Sequence, residues 1–290
     1  MTTFTTLPVP PRGKHRALRQ LLRNPAGLAG IIILLLVLAM ALAAPWLYPG
    51  DPLDMIATPL LLPGADAAWP LGSDAMGRDL AAGIFHGARV SLLIGVGATL
   101  LGLLAGTLIG SLSGYYGGVL DNLLMRITTL FQTMPAFLLV IIVLAVATPT
   151  VTLITLSIGL TTWPTIARLV RAEFRSLRES DFVLAARCQG FSPLYIIWRE
   201  MLPNALPAII VTSSVMVASA ILMEAALSFL GLGDPNVVSW GFLIGSGREM
   251  LRTAWYLTAE PGVALVITLL GLNLLGDALN DAFNPRLSEQ

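Results

Sequence analysis

Residues 127–167 read ITTLFQTMPAFLLVIIVLAVATPTVTLITLSIGLTTWPTIA, 41 residues between Arg126 and Arg168 without one charged side chain. A charge at the bilayer centre costs roughly 2.5 kcal/mol or more, so long charge-free intervals mark membrane spans. A helix needs about 20 residues to cross some 30 Å of hydrocarbon. This stretch is twice that length and is punctuated at Thr148-Pro149-Thr150, so it reads as two spans joined by a turn. Residues 24–50, 90–120, 201–223 and 261–276 are equally free of charge. The pattern predicts an all-α polytopic membrane protein of six helices, at about 25–47, 89–113, 122–147, 150–171, 205–230 and 259–280.

The composition agrees. Of 290 residues, 56% are hydrophobic and 12% charged, with a mean hydropathy of +0.80. A soluble domain carries about 25% charge. Seventeen basic side chains balance seventeen acidic ones, so no basic field exists to hold nucleic acid. One cysteine, Cys188, excludes an intrachain disulfide. With His15 and His86 it makes too few ligands for an ordinary zinc site, and no cofactor motif is present.

Local punctuation places the span edges. Asn24-Pro25 reads as an N-cap followed by proline at the first helical position. Asp121 and Asn204 are candidate caps for spans three and five, and Gly231 and Gly233 suit the end of span five. Trp46 and Tyr48 fall where an interfacial aromatic belt belongs. The basic leader before span one exceeds twenty residues and its apolar run exceeds the 7–15 of a signal peptide, which favours an uncleaved anchor. With residues 1–24 cytoplasmic, thirteen of the seventeen Lys and Arg lie inside, leaving only Arg78, Arg89, Arg248 and Arg252 outside. The positive-inside rule then places both termini in the cytoplasm. Residues 48–88 and 231–258 face out, and 172–204 face in.

The sequence carries no energy source. A Walker A loop ends in Gly-Lys-Ser/Thr, whereas the only lysine, Lys14, precedes His15. There is no H-E-x-x-H or G-x-S-x-G, and the chain reads as a non-enzyme. A proton- or sodium-driven carrier keeps ionisable groups near the midplane. The one clear candidate is Glu224, twenty residues or about 30 Å beyond Asn204, near the outer edge. It is either hydrated or paired there, or it is a pathway residue. Gly102, Gly106, Gly110, Gly114 and Gly118 recur every four residues and permit close backbone approach, within the bundle or across a dimer interface. Pro135, Pro164 and Pro207 permit kinks.

In the loop 172–204, Phe182, Phe191, Tyr195 and Trp198 alternate with Arg175, Arg178, Arg187 and Arg199. Two helices are predicted, hinged at Gly190, the second started by Ser192-Pro193 and ended before Pro203. Such an element lies on lipid headgroups or sits in a groove of a partner protein.

Leu184-Ala185-Ala186, three residues, Gly190, then Leu202-Pro203 resembles the EAA loop of ABC importer permeases, with Leu184 in place of the glutamate and Glu200 in place of a hydrophobic residue. Residues Pro70 to Asp79, Gly114 to Gly118, Ser228 to Gly233, Ser239-Trp240-Gly241, and the end from Asn273 to Asp277 and Asn284 to Leu287 resemble the C-type permease of dipeptide, oligopeptide and nickel importers. The resemblance covers residues ~20–287. It implies the type I importer permease fold in a bacterial inner membrane, with a homologous second permease, two cytoplasmic ATPases and an external solute-binding protein as partners. It further implies that Ala185, Ala186 and Gly190 contact an ATPase, that Leu202 and Pro203 fix the return into span five, and that transport runs by alternating access. Peptides are the expected substrate, with nickel or a metal chelate as the alternative. An autonomous secondary transporter or channel is the rival of another class.

Overall fold

The computed structural model describes residues 20–283. Lys14, His15 and the terminal Asn284–Leu287 signature lie outside them. Five helices are long and apolar enough to cross a membrane, and a bent pair supplies a sixth crossing if it counts as one span.

Helix α1 (Pro25–Leu47) starts where the sequence indicates: Asn24 Oδ1 accepts from the N–H of Ala26 at 3.0 Å and of Gly27 at 3.4 Å. Helix α2 (Leu80–Tyr116) has 37 residues, about 55 Å, longer than a hydrocarbon core of some 30 Å. It begins well before residue 89 because Asp79 caps it outside the hydrocarbon, taking the Ala81 N–H at 2.9 Å. The predicted third span is broken. Helices α3 (Gly118–Thr133) and α4 (Ala136–Val146) meet at 77°. Pro135 lacks an N–H and pushes Met134 into extended geometry, φ −87° and ψ 130°. Helix α5 (Val151–Leu177) absorbs Pro164 and continues six residues beyond 171.

A short helix α6 (Asp181–Cys188) precedes α7 (Pro193–Phe229). Here the structure corrects the expected end before Pro203. The helix runs through this residue because residues 196–201 form a wider π turn, which absorbs the missing proline N–H. Asn204 is therefore no cap; its side chain donates to the Glu200 carbonyl at 2.6 Å. At the other end Gly231, at φ +82°, closes α7, with the Leu232 N–H returning to the Leu227 carbonyl at 2.9 Å. Helix α8 (Trp240–Gly247) folds back against the C-terminal end of α7, and α9 (Tyr256–Phe283) completes the bundle.

Packing follows the small residues. A Cβ on Gly106 would lie 2.6 Å from Ile166 Cβ, and one on Gly114 2.5 Å from Phe174 Cβ. Gly102 and Gly110 meet the same helix, so the stripe seats α2 on α5 within one chain. Gly118 leaves the stripe; at φ +58° it begins α3 and faces open space. On the other side Gly30 of α1 abuts the Gly271 carbonyl of α9. Among the described residues, extended pairing is limited to three isolated bridges in the external segment. That segment is pinned by Ser73, fully buried, whose hydroxyl bonds the Thr58 carbonyl and the Leu61 N–H and whose carbonyl accepts from Tyr256 Oη at 3.3 Å.

Candidate functional site

The loop 172–204 is built on a buried platform. Val183 and Ala186 of α6, with Ile196, Ile197 and Met201 of α7, enter one core with Tyr115, Val170 and Phe174. Their burial turns the rest of the loop outward. Leu184, Phe191, Leu194 and Trp198 are exposed, Leu194 by 61% and Trp198 by 52%. Phe191 stacks on Tyr195 with ring centroids 4.6 Å apart. Between the two helices Gly190 adopts φ +80°, and a Cβ there would meet nothing within 4 Å. The Arg187 guanidinium lies 5.1 Å from the Tyr115 ring centroid and ties α6 to the end of α2.

The residues singled out from sequence divide accordingly. Ala185 and Gly190 lie on the surface, Ala186 points into the core, Leu202 is half-buried and Pro203 is exposed. The apolar surface around the glycine turn is thus larger than the small-residue pattern indicates. Alternation of aromatic and basic residues was its signal in the sequence, without the side that each would face.

Asp121 departs from its expected capping role. It receives Arg171 Nε at 2.5 Å and Nη2 at 2.6 Å, and the Ser113 hydroxyl. This two-pronged pair, with the Ser113 hydroxyl, ties the start of α3 to the C-terminal parts of α2 and α5. Fifty residues separate the partners, and no local pattern in the sequence joins them.

Towards the C-terminal end of α7, Glu224 is 1% exposed. Its Oε1 accepts from Ser228 Oγ at 2.7 Å and its Oε2 from Ser91 Oγ at 3.1 Å. Ser91 Oγ in turn accepts the Trp240 N–H at 3.3 Å. The carboxylate therefore joins α2, α7 and α8. Outside the spans, burial lifts the Asp79 carboxyl above the ordinary aspartate range, against the N–H groups of Ala81 and Ala82, which hold it down. Among the described residues no three His, Cys, Asp or Glu side chains converge as metal ligands.

Residues 106–289 match the family of binding-protein-dependent transport system inner membrane components. The chain belongs to this permease family. Residues 15–63 also match the N-terminal transmembrane domain of oligopeptide transport permease C. The di/tripeptide transport system permease protein DppC of Pseudomonas aeruginosa is 35% identical over 270 residues, covering 91% of this chain and 89% of that protein. A putative peptide transport system permease of Brucella abortus is 38% identical over 288 residues, covering 98% and 96%. The dipeptide permease DppC of Bacillus subtilis is 35% identical, covering 93% and 85%. An inward-facing structure of the MetNI methionine ABC transporter shares the fold, with TM-score 0.58 and 17% identity over 70% of this chain and 97% of that one. The protein is thus a multi-pass ABC importer permease of the type I fold.

Proposed function

We propose that this permease forms half of a peptide translocation pathway in a bacterial inner membrane, paired with a homologous permease. Two ATPases and an external solute-binding protein complete the importer. Peptide as cargo rests on the relatives, which are named for di- and tripeptide or peptide transport. Both termini and the loop 172–204 lie in the cytoplasm, and residues 48–88 face out, as the distribution of Lys and Arg supports.

The observation that carries the coupling role is the exposed apolar loop on its buried platform. Exposed Leu194 and Trp198 are costly in water and suit a groove on a partner. Gly190 leaves room for that partner's backbone, since nothing in this chain occupies the space beside it. Closure of two ATPases on nucleotide would draw their loops together. The rigid path from α6 through Tyr115 and the Asp121–Arg171 pair would then pass the movement to α2, α3 and α5, switching the spans between inward- and outward-facing states. Glu224 serves in this scheme as the fastening between α8 and the spans on the outer side.

The test is Gly190→Asp in the assembled importer, reconstituted in vesicles with a dipeptide and the binding protein. ATP-dependent uptake falls at least tenfold while the thermal midpoint of the permease stays within a few degrees, because the side chain projects into free space. Full uptake by this variant removes the ATPase contact from Gly190.

A further inference from the structure

A groove of about 490 Å³ runs between α1, α2 and α9 in the outer half of the bundle. Val37 and Met40 of α1, Phe85 of α2, and Val263 and Ile267 of α9 line it. One lining residue breaks the apolar pattern. Glu260 places its Oε2 out of contact with water and without a hydrogen-bond partner among the described residues. Neither ion pair among those residues involves it. A charged carboxylate in such surroundings is costly unless it takes up a proton or a cation reaches it.

Position says what kind of cation. Glu260 lies four residues into α9, about 6 Å below its outer end, and Ile267 about 10 Å deeper. On α1, which runs the other way, Met40 and Val37 lie about 10 and 15 Å below the outer end. The groove is therefore about 15 Å deep, one leaflet of a 30 Å core. Val263, Val266 and Leu36 beside it are more than half exposed and apolar, the surface of a lipid-facing wall. Trp255, 62% exposed, stands at its rim, at the level of an interfacial aromatic.

We infer that the groove holds an acyl chain of an outer-leaflet phospholipid whose primary ammonium headgroup pairs with Glu260. A depth of one leaflet, exposed apolar walls and an aromatic at the rim suit an acyl chain lying along the bilayer normal. An ethanolamine headgroup brings a charge and three N–H donors, as a lysine ammonium does. A choline headgroup brings charge without donors, and a glycerol headgroup leaves only phosphate, which the carboxylate repels.

The inference is independent of the cargo and the ATPase contact, and its test needs neither. The protein, with whatever subunits leave the membrane with it, is incubated with ethanolamine, choline and glycerol phospholipids of identical chains and weighed by native mass spectrometry. The wild type retains the ethanolamine lipid about tenfold over the glycerol lipid, and also over the choline lipid. Glu260→Gln retains all three alike. Val263→Trp, at an exposed wall position, lowers retention of every lipid and separates loss of the groove from loss of the charge. Equal retention of the three lipids by the wild type overturns the inference. So does an ethanolamine preference that survives in Glu260→Gln, or a wild type that retains no lipid. The headgroup competition on the unaltered chain stands even if the Gln variant fails to fold.

Discussion

Glu224 shows how one side chain is half legible. Its isolation in a charge-free interval marks it in the sequence, but its partners Ser91 and Ser228 lie 133 and 4 residues away, and only the fold brings the first to it. A buried acceptor removed from its donors leaves them unsatisfied, at roughly 1–3 kcal/mol. Glu224→Ala is therefore expected to lower the thermal midpoint of the purified permease by several degrees, followed through the intrinsic fluorescence of its six tryptophans, the neighbouring Trp240 among them. Glu224→Gln, which still accepts, loses less than half as much. If both variants melt like the wild type yet stop uptake, the residue acts on cargo and not as a fastening. Asp121 was read as a cap for the same reason that Ser91 went unnoticed. A first-turn aspartate is the local pattern of a cap, and Arg171 belongs to a different helix.

The elements were more readable than their ends. Hydropathy locates a helix by the lipid it crosses and is blind where the helix leaves lipid, so α2 and α5 both outrun their apolar cores. Proline was ambiguous in kind. Pro164 is carried inside α5, Pro203 is absorbed by a π turn, and Pro135 breaks its span. The glycine stripe was legible as close approach, and the structure supplies the partner, α5. Two substitutions separate packing from propensity. At Gly106 an added methyl meets Ile166 and the Trp163 carbonyl at 2.6 Å, so Gly106→Ala is expected to destabilise by about 1–3 kcal/mol. Gly262 is helical with nothing within 4 Å, so Gly262→Ala is expected to be neutral or to stabilise by up to about 1 kcal/mol. Chemical or thermal melts in one detergent rank the two. Equal effects would mean that α2 and α5 do not meet along the stripe.

At the scale of the whole molecule, the family was legible from ordered motifs along the chain, while the groove between α1, α2 and α9 was not, since its lining comes from three separated segments. Orientation can be tested with the chain's single thiol. Cys188 is exposed at the end of α6. A membrane-impermeant maleimide is expected to leave it unlabelled in intact cells and to label it in inverted vesicles stripped of ATPase. Labelling in intact cells would reverse the topology.

The break at Met134-Pro135 also dictates what surrounds it. If the bent pair crosses the bilayer as one span, with sixteen residues of α3 before the break and eleven of α4 after it, the interruption falls between the two faces of the bilayer. The last carbonyls of one helix and the first N–H groups of the next have no helical partners there, and acyl chains offer none. Gln132 and Thr133 are exposed beside them. This flank of the permease cannot be a lipid boundary; it must face neighbouring protein or a column of water.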